Sequence, residues 1–220
     1  MRAFLSRALR RLAKRLSKPV EIDGLWVGAG GRETRAKVRD ALEIIKSRDP
    51  RRYSWILKDL KGIFVDLLPG AIGRYDTRED LCELDERFVA STQPEQIASV
   101  IVHEATHARL WHRGIRYSEQ IRGRVEQVCN RQAKVFASKM PGATEIVAGL
   151  DRYITWAGAA DWSDAGRKRR NLRGAVEALR HLKVPQWLIG CLLRVRRTQL
   201  RRLRRLASSK GVAERPTATP

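Results

Sequence analysis

His103-Glu104-Ala105-Thr106-His107 sets two imidazoles four residues apart, with a carboxylate directly after the first. On an α-helix, residues four apart lie about one turn along the same face, so both rings can converge on one cation. Glu104 is rotated by about 100° from His103, which puts its carboxylate beside that cation. The chemistry this spacing suits is zinc-dependent hydrolysis. The ion acidifies water and polarises a carbonyl, while the glutamate takes the water proton and passes it to a leaving amine.

Catalytic zinc usually takes three protein ligands, so the pair needs a third. His112 lies nine residues after His103, about 180° round a continuous helix, and faces away. His181 is remote and sits among basic residues, and both histidines read as solvated or packing groups. Glu119 and Glu126 remain, at two places on a second helix.

Eighteen residues separate His107 from Glu126, and here residues 92–140 resemble the gluzincins, the thermolysin-like and aminopeptidase-N-like zinc metallopeptidases. Their pattern is HExxH, a spacer near eighteen or nineteen residues, and a glutamate on a following helix. The resemblance implies that His103, His107 and Glu126 are the zinc ligands and Glu104 the general base. Thermolysin-like members carry an acid four residues after the ligand glutamate, where this chain has Asn130. An amide oxygen still accepts an imidazole N–H, with less charge to raise ligand basicity. The family also stabilises the oxyanion with a downstream Tyr or His; Tyr153 and His181 are available, and no motif selects either. SprT-like proteases also pair HExxH with basic character. Their third ligand is a further histidine, and none lies at a suitable place after His112.

The elements that must position these residues are legible as patterns. Thr92-Gln93-Pro94-Glu95 reads as a capping box opening a helix from about Pro94 to Trp111. Ile97, Ala98, Val100, Ile101, Val102, Ala105, Ala108 and Leu110 wrap nearly all the way round it, which marks a buried helix. Buried histidines and a glutamate need partners, and a metal satisfies them. A second helix is expected from about Glu119 to Lys139, ended by Met140-Pro141-Gly142.

Before the first of these, residues 63–67, 71–75 and 81–84 read as short strands of a small, largely antiparallel sheet. A strand near Leu81 to Leu84 is in place to offer its edge to an extended peptide, although the sequence does not say which strand is the edge. Gly24 to Gly31 reads as a linker or turn, lacking the full spacing of a phosphate-binding loop. Helices are expected over Thr34–Ser47, Tyr53–Leu60, Thr144–Trp156, Arg167–His181 and from Pro185 to about Ala207. The expected fold is α+β: a small sheet on a buried HExxH helix, followed by a helical C-terminal part.

The chain has 220 residues and a formal charge of +21, which suggests a nucleic-acid partner until the charge is mapped. Residues 1–18 hold seven Lys/Arg and no acid, residues 167–205 hold fourteen and one acid, and residues 19–166 hold 22 of each sign. The organisation expected is therefore a basic amphipathic helix over 1–20, with Phe4, Leu5, Leu9, Leu12 and Leu16 on one face, then a metallopeptidase domain over 21–166. A basic helical extension with a disordered tail follows over 167–220.

Membrane surface, nucleic acid or plain solvation are the partners these ends allow. The start lacks the uninterrupted apolar stretch of a signal peptide, and Cys82, Cys129 and Cys191 are three, far apart and without C-x-x-C spacing. A cytoplasmic, reducing location, peripheral at a membrane if the ends bind one, is the expectation. The alternative function is a membrane- or nucleic-acid-associated binding protein whose metal site is structural or inactive.

Overall fold

The computed structural model describes residues 19–195 and 198. The N-terminal amphipathic pattern and most of the Arg-rich tail lie outside these residues. The chain divides into two compact units, Met1–Gly174 and Ala175–Pro220.

The first unit opens with a hairpin of β1 (Val20–Ile22) and β2 (Leu25–Gly28), antiparallel with Ile22 opposite Leu25. Asp23 and Gly24 make its two-residue turn, both with positive φ, as an Asp-Gly loop of this kind requires. The stretch read as a linker is thus partly a strand, because Leu25 and Val27 are buried. Helices α1 (Arg32–Arg48) and α2 (Pro50–Asp59) follow, with Asp49 capping α2 by accepting from the Arg52 N–H.

Three more strands complete the sheet: β3 (Gly62–Asp66), β4 (Gly73–Asp76) and β5 (Leu81–Asp85), in the order β1-β2-β3-β5-β4. The sheet is α+β as expected but mixed rather than largely antiparallel: β2–β3 and β3–β5 are parallel, while β1–β2 and β4–β5 are antiparallel. The α1–α2 crossover brings the chain back parallel to β2, a connection that the strand patterns alone do not reveal. The expectation for Leu81–Leu84 is also corrected. That strand is interior and wholly buried, and the sheet edges are β1 and β4.

Val27, Ile63, Val65, Cys82 and Leu84 form the core face of the sheet. The register lines up Val27, Ile63 and Cys82 across it, then Val65, Leu84 and Gly73. Val38, Leu42 and Ile45 of α1 join this core, together with Ile97, Ile101 and Val102 of α4 (Pro94–His112). Between sheet and α4 lies the short α3 (Glu86–Ser91), capped by Asp85. Pro94 is at the start of α4 as expected, but the capping box does not form. Thr92 ends α3, and Gln93 is the N-cap with no side-chain bond.

Helices α5 (Arg122–Ala137) and α6 (Thr144–Ala159) stack beyond α4. Val125, Glu126, Cys129, Asn130, Ala133, Phe136 and Ala137 make up the buried face of α5. α7 (Asp164–His181) completes the series, and backbone over 186–195 is again helical. No described helix is long and apolar enough to cross a membrane.

Candidate metal centre

His103 and His107 occupy one face of α4, one turn apart, and their Nε2 atoms lie 3.2 Å from each other. Glu126 reaches across from α5. Its Oε2 is 3.5 Å from His103 Nε2, and its Oε1 is 3.5 Å from His107 Nε2. Two ligands of a tetrahedral zinc with arms of ~2.0–2.1 Å are separated by about 3.3 Å, so the two imidazole nitrogens stand at ligand spacing, and Glu126 faces the pair with one oxygen toward each ring. The donor set fits as well: two imidazoles and one carboxylate are a usual catalytic zinc combination with one position left over.

The electrostatics follow from burial. Glu126 is held down to about 2: burial pushes its pKa up, but hydrogen bonding and charge from His103, then the charge of His107 and the Tyr117 hydroxyl, outweigh that. It is an anion at any neutral pH. His107 is pulled down to about 4 by burial and then by the neighbouring charge of His103, so its imidazole is neutral and able to ligate. Burial also pulls His103 down, yet the Glu126 hydrogen bond and the Glu104 and Glu126 charges leave it raised overall.

Glu104 does not point its carboxylate into the donor triangle. It is buried against β4, receives a hydrogen bond from the Tyr75 backbone N–H, and is raised to about 7, chiefly by burial. A carboxylate poised near neutrality is suited to taking up and releasing a proton.

The surrounding shell holds the ligands in place. Asn130, one turn after Glu126, hydrogen-bonds His103 and donates its Nδ2–H to the Glu126 carbonyl at 2.8 Å. Tyr117, from the connection between α4 and α5, donates its hydroxyl to Glu126 Oε1 at 2.5 Å. Its ring meets His107 edge-on, with centroids 5.4 Å apart. Burial, then the Glu126 charge, holds the phenol pKa well above its ordinary value, so Tyr117 stays a donor. Behind it, the buried Arg122 sits 5.2 Å from the ring and donates to the Trp162 carbonyl and to Asp164 Oδ1.

The other expected residues lie elsewhere. Glu119 is exposed and accepts from the Asp164 N–H, at the start of α7. His112 contacts Asp80 and Asp59 at the far end of α4, and His181 is exposed. Tyr153 on α6 is 41% exposed as a residue and packs at a tilt on Trp156, but its phenol is raised well above its ordinary value by burial and then by the charges of Glu126 and Glu104.

Two residues of the centre escaped the sequence analysis. Tyr117 stands in a polar break and belongs to no motif. Cys129 has no C-x-x-C spacing to mark it as a thiolate ligand, yet its Sγ and the two histidine nitrogens all lie within 4.8 Å of one another. Its position three residues after Glu126, on the buried face of α5, is the signal that marks it. Burial, with the Glu126 and Glu104 charges, pushes the thiol far up, whereas Glu126 is already anionic and meets each imidazole with a separate oxygen. Glu126 and Cys129 are therefore both placed as a third donor.

No protein-family model, curated protein or solved structure matches the chain.

Proposed function

We propose that this chain is a zinc-dependent peptidase in which His103, His107 and Glu126 hold the metal and Glu104 is the general base. The observation that carries the reading is the convergence of three donor groups at ligand spacing beside a buried carboxylate that is not one of them. Zinc held by those donors supplies a Lewis acid that acidifies water and polarises a scissile carbonyl.

The remaining work falls to the chain itself. Glu104 receives the proton and delivers it to the leaving amine, the Tyr75 N–H fixing where its carboxylate stands. Asn130 keeps the His103 ring in one orientation, and Tyr117 fixes Glu126 through Oε1. The edge strand β4 supports a peptide as substrate, because an extended chain can add to such an edge by main-chain hydrogen bonds.

Metal analysis of the purified protein, followed by cleavage of casein or a mixed peptide library, tests this. Stoichiometric zinc and zinc-dependent cleavage are expected, with Glu104→Gln keeping the zinc and losing at least about 100-fold in rate. A protein that takes up no zinc on reconstitution, or a Glu104→Gln variant that cleaves at the wild-type rate, overturns the proposal.

A further inference from the structure

The 186–195 helix has two apolar sides. Ile189 is 1% exposed and Leu193 is half-buried, so one side packs on protein. On the other, Trp187 is 70% exposed, Leu188 36%, Leu192 48% and Val195 52%. At 100° per residue these four cover an arc of about 140° on the far side of the helix from Ile189 and Leu193. Single apolar residues on a surface need no account, but a contiguous face containing a largely exposed tryptophan does.

Charge selects what covers it. The described part of the second unit, residues 175–195, carries Arg180, Lys183 and Arg194 against Glu177 alone, and the whole chain has a formal charge of +21. A second copy of the chain brings the same positive charge and is repelled. Nucleic acid matches the arginines but offers nothing to leucine and valine. An anionic bilayer surface meets both requirements, with acyl boundary for the apolar face and lipid phosphates for the flanking cations. Tryptophan, apolar with one polar N–H, is suited to that boundary.

We infer that the 186–195 helix docks in the plane of an anionic lipid surface through Trp187, Leu188, Leu192 and Val195. It lies on the bilayer and does not enter deeply, being too short to span. This docking is read without any peptidase assay.

The full chain is mixed with vesicles of phosphatidylcholine, with or without phosphatidylserine, and floated. A second readout uses Cys191, which is exposed on the same face while Cys82 and Cys129 are buried; an environment-sensitive maleimide dye there reports apolar surroundings. Expected are flotation and a blue shift with the anionic vesicles only. Both should weaken by at least about tenfold in Trp187→Ser/Leu192→Ser, which alters exposed residues and leaves the thermal transition in place.

Absence of flotation on anionic vesicles overturns the inference. So does flotation undiminished in the double variant, which assigns binding to charge elsewhere in the chain. A dimer in sedimentation that the double variant dissociates assigns the face to a second copy and overturns it. Loss of duplex-oligonucleotide binding in the same variant, without vesicle binding by wild type, overturns it in favour of nucleic acid.

Discussion

The backbone of Gly73 on the edge strand lies directly against the carboxylate of Glu104 on the metal-centre helix. A Cβ at Gly73 would stand 2.9 Å from Glu104 Oε1 and 2.6 Å from Val100 Cγ1, both too close for real atoms. With the Tyr75 N–H on the same carboxylate, β4 positions the proposed base while also being one of the two edge strands of the sheet.

Gly73→Ala should therefore damage chemistry more than folding. Val100 is β-branched on a helix and has little rotamer freedom, so Glu104 is the group that gives way. A displacement of about 1 Å at a catalytic group costs on the order of 100-fold in rate. The expected outcome is that loss in kcat/KM with zinc content unchanged, and partial recovery in Gly73→Ala/Val100→Ala. Wild-type kinetics for Gly73→Ala would show that the contact does not set the base.

The choice between Glu126 and Cys129 as third ligand has a direct test. Glu126→Ala removes the carboxylate that, among the described residues, meets both imidazoles and should leave the protein without stoichiometric zinc. Cys129→Ala should keep it. Asn130→Ala, which strips the His103 partner, should weaken zinc by about 10–100-fold in a chelator competition. Zinc lost from Cys129→Ala and kept by Glu126→Ala would make the centre a His/His/Cys site and undercut the assigned mechanism.

These positions show what a sequence can and cannot reveal. The helical periodicity of α4 and the His-x-x-x-His spacing are local, so they survive as patterns in one dimension. Helix α1 is legible for the same reason, with Val38, Leu42 and Ile45 on one face. The sheet was read less well. Parallel pairing of β2 with β3 depends on where the α1–α2 crossover returns the chain, and no local residue encodes that. The β1–β2 hairpin did have a signal, Asp23-Gly24, hidden by the glycines that follow it. Tyr117 and Cys129 were invisible as chemistry because each acquires its role only when α5 folds back on α4.

Asp49 links pH to stability away from the metal centre. It is buried, caps α2, and pairs with Arg52 and with Lys139 Nζ at 2.7 Å. Burial pushes its pKa up, but the Lys139 and Arg52 hydrogen bonds outweigh this and the net shift is down. A carboxylate with a lowered folded pKa stabilises the protein fully above its unfolded value, about 3.9, and progressively less as pH falls through the folded value. Urea midpoints should therefore fall below about pH 4 in wild type. Asp49→Asn should cost about 1–2 kcal/mol at pH 7 and flatten that acid limb. An unchanged acid limb in the variant would mean that other carboxylates carry it.

Tyr117 and Tyr153 compete for the role of hydroxyl donor at the centre, and geometry favours the first. Tyr117 donates to Glu126 at 2.5 Å, meets His107 edge-on and is braced by Arg122. Tyr153 packs at a tilt on Trp156, and although burial and the Glu126 and Glu104 charges act on its phenol, it makes no hydrogen bond to His103, His107 or Glu126 among those of the described residues. Removing a hydroxyl that orients a metal ligand costs about 10–100-fold in affinity or activity, whereas one that bonds no ligand is worth about twofold. Tyr117→Phe should thus lose at least about tenfold in kcat/KM, with weaker zinc in competition, and Tyr153→Phe should stay within about twofold of wild type. Because Phe keeps the ring against His107, the comparison isolates the hydroxyl from the packing. A large loss in Tyr153→Phe with none in Tyr117→Phe would move the donor to α6 and make the Tyr117 bond to Glu126 a structural one.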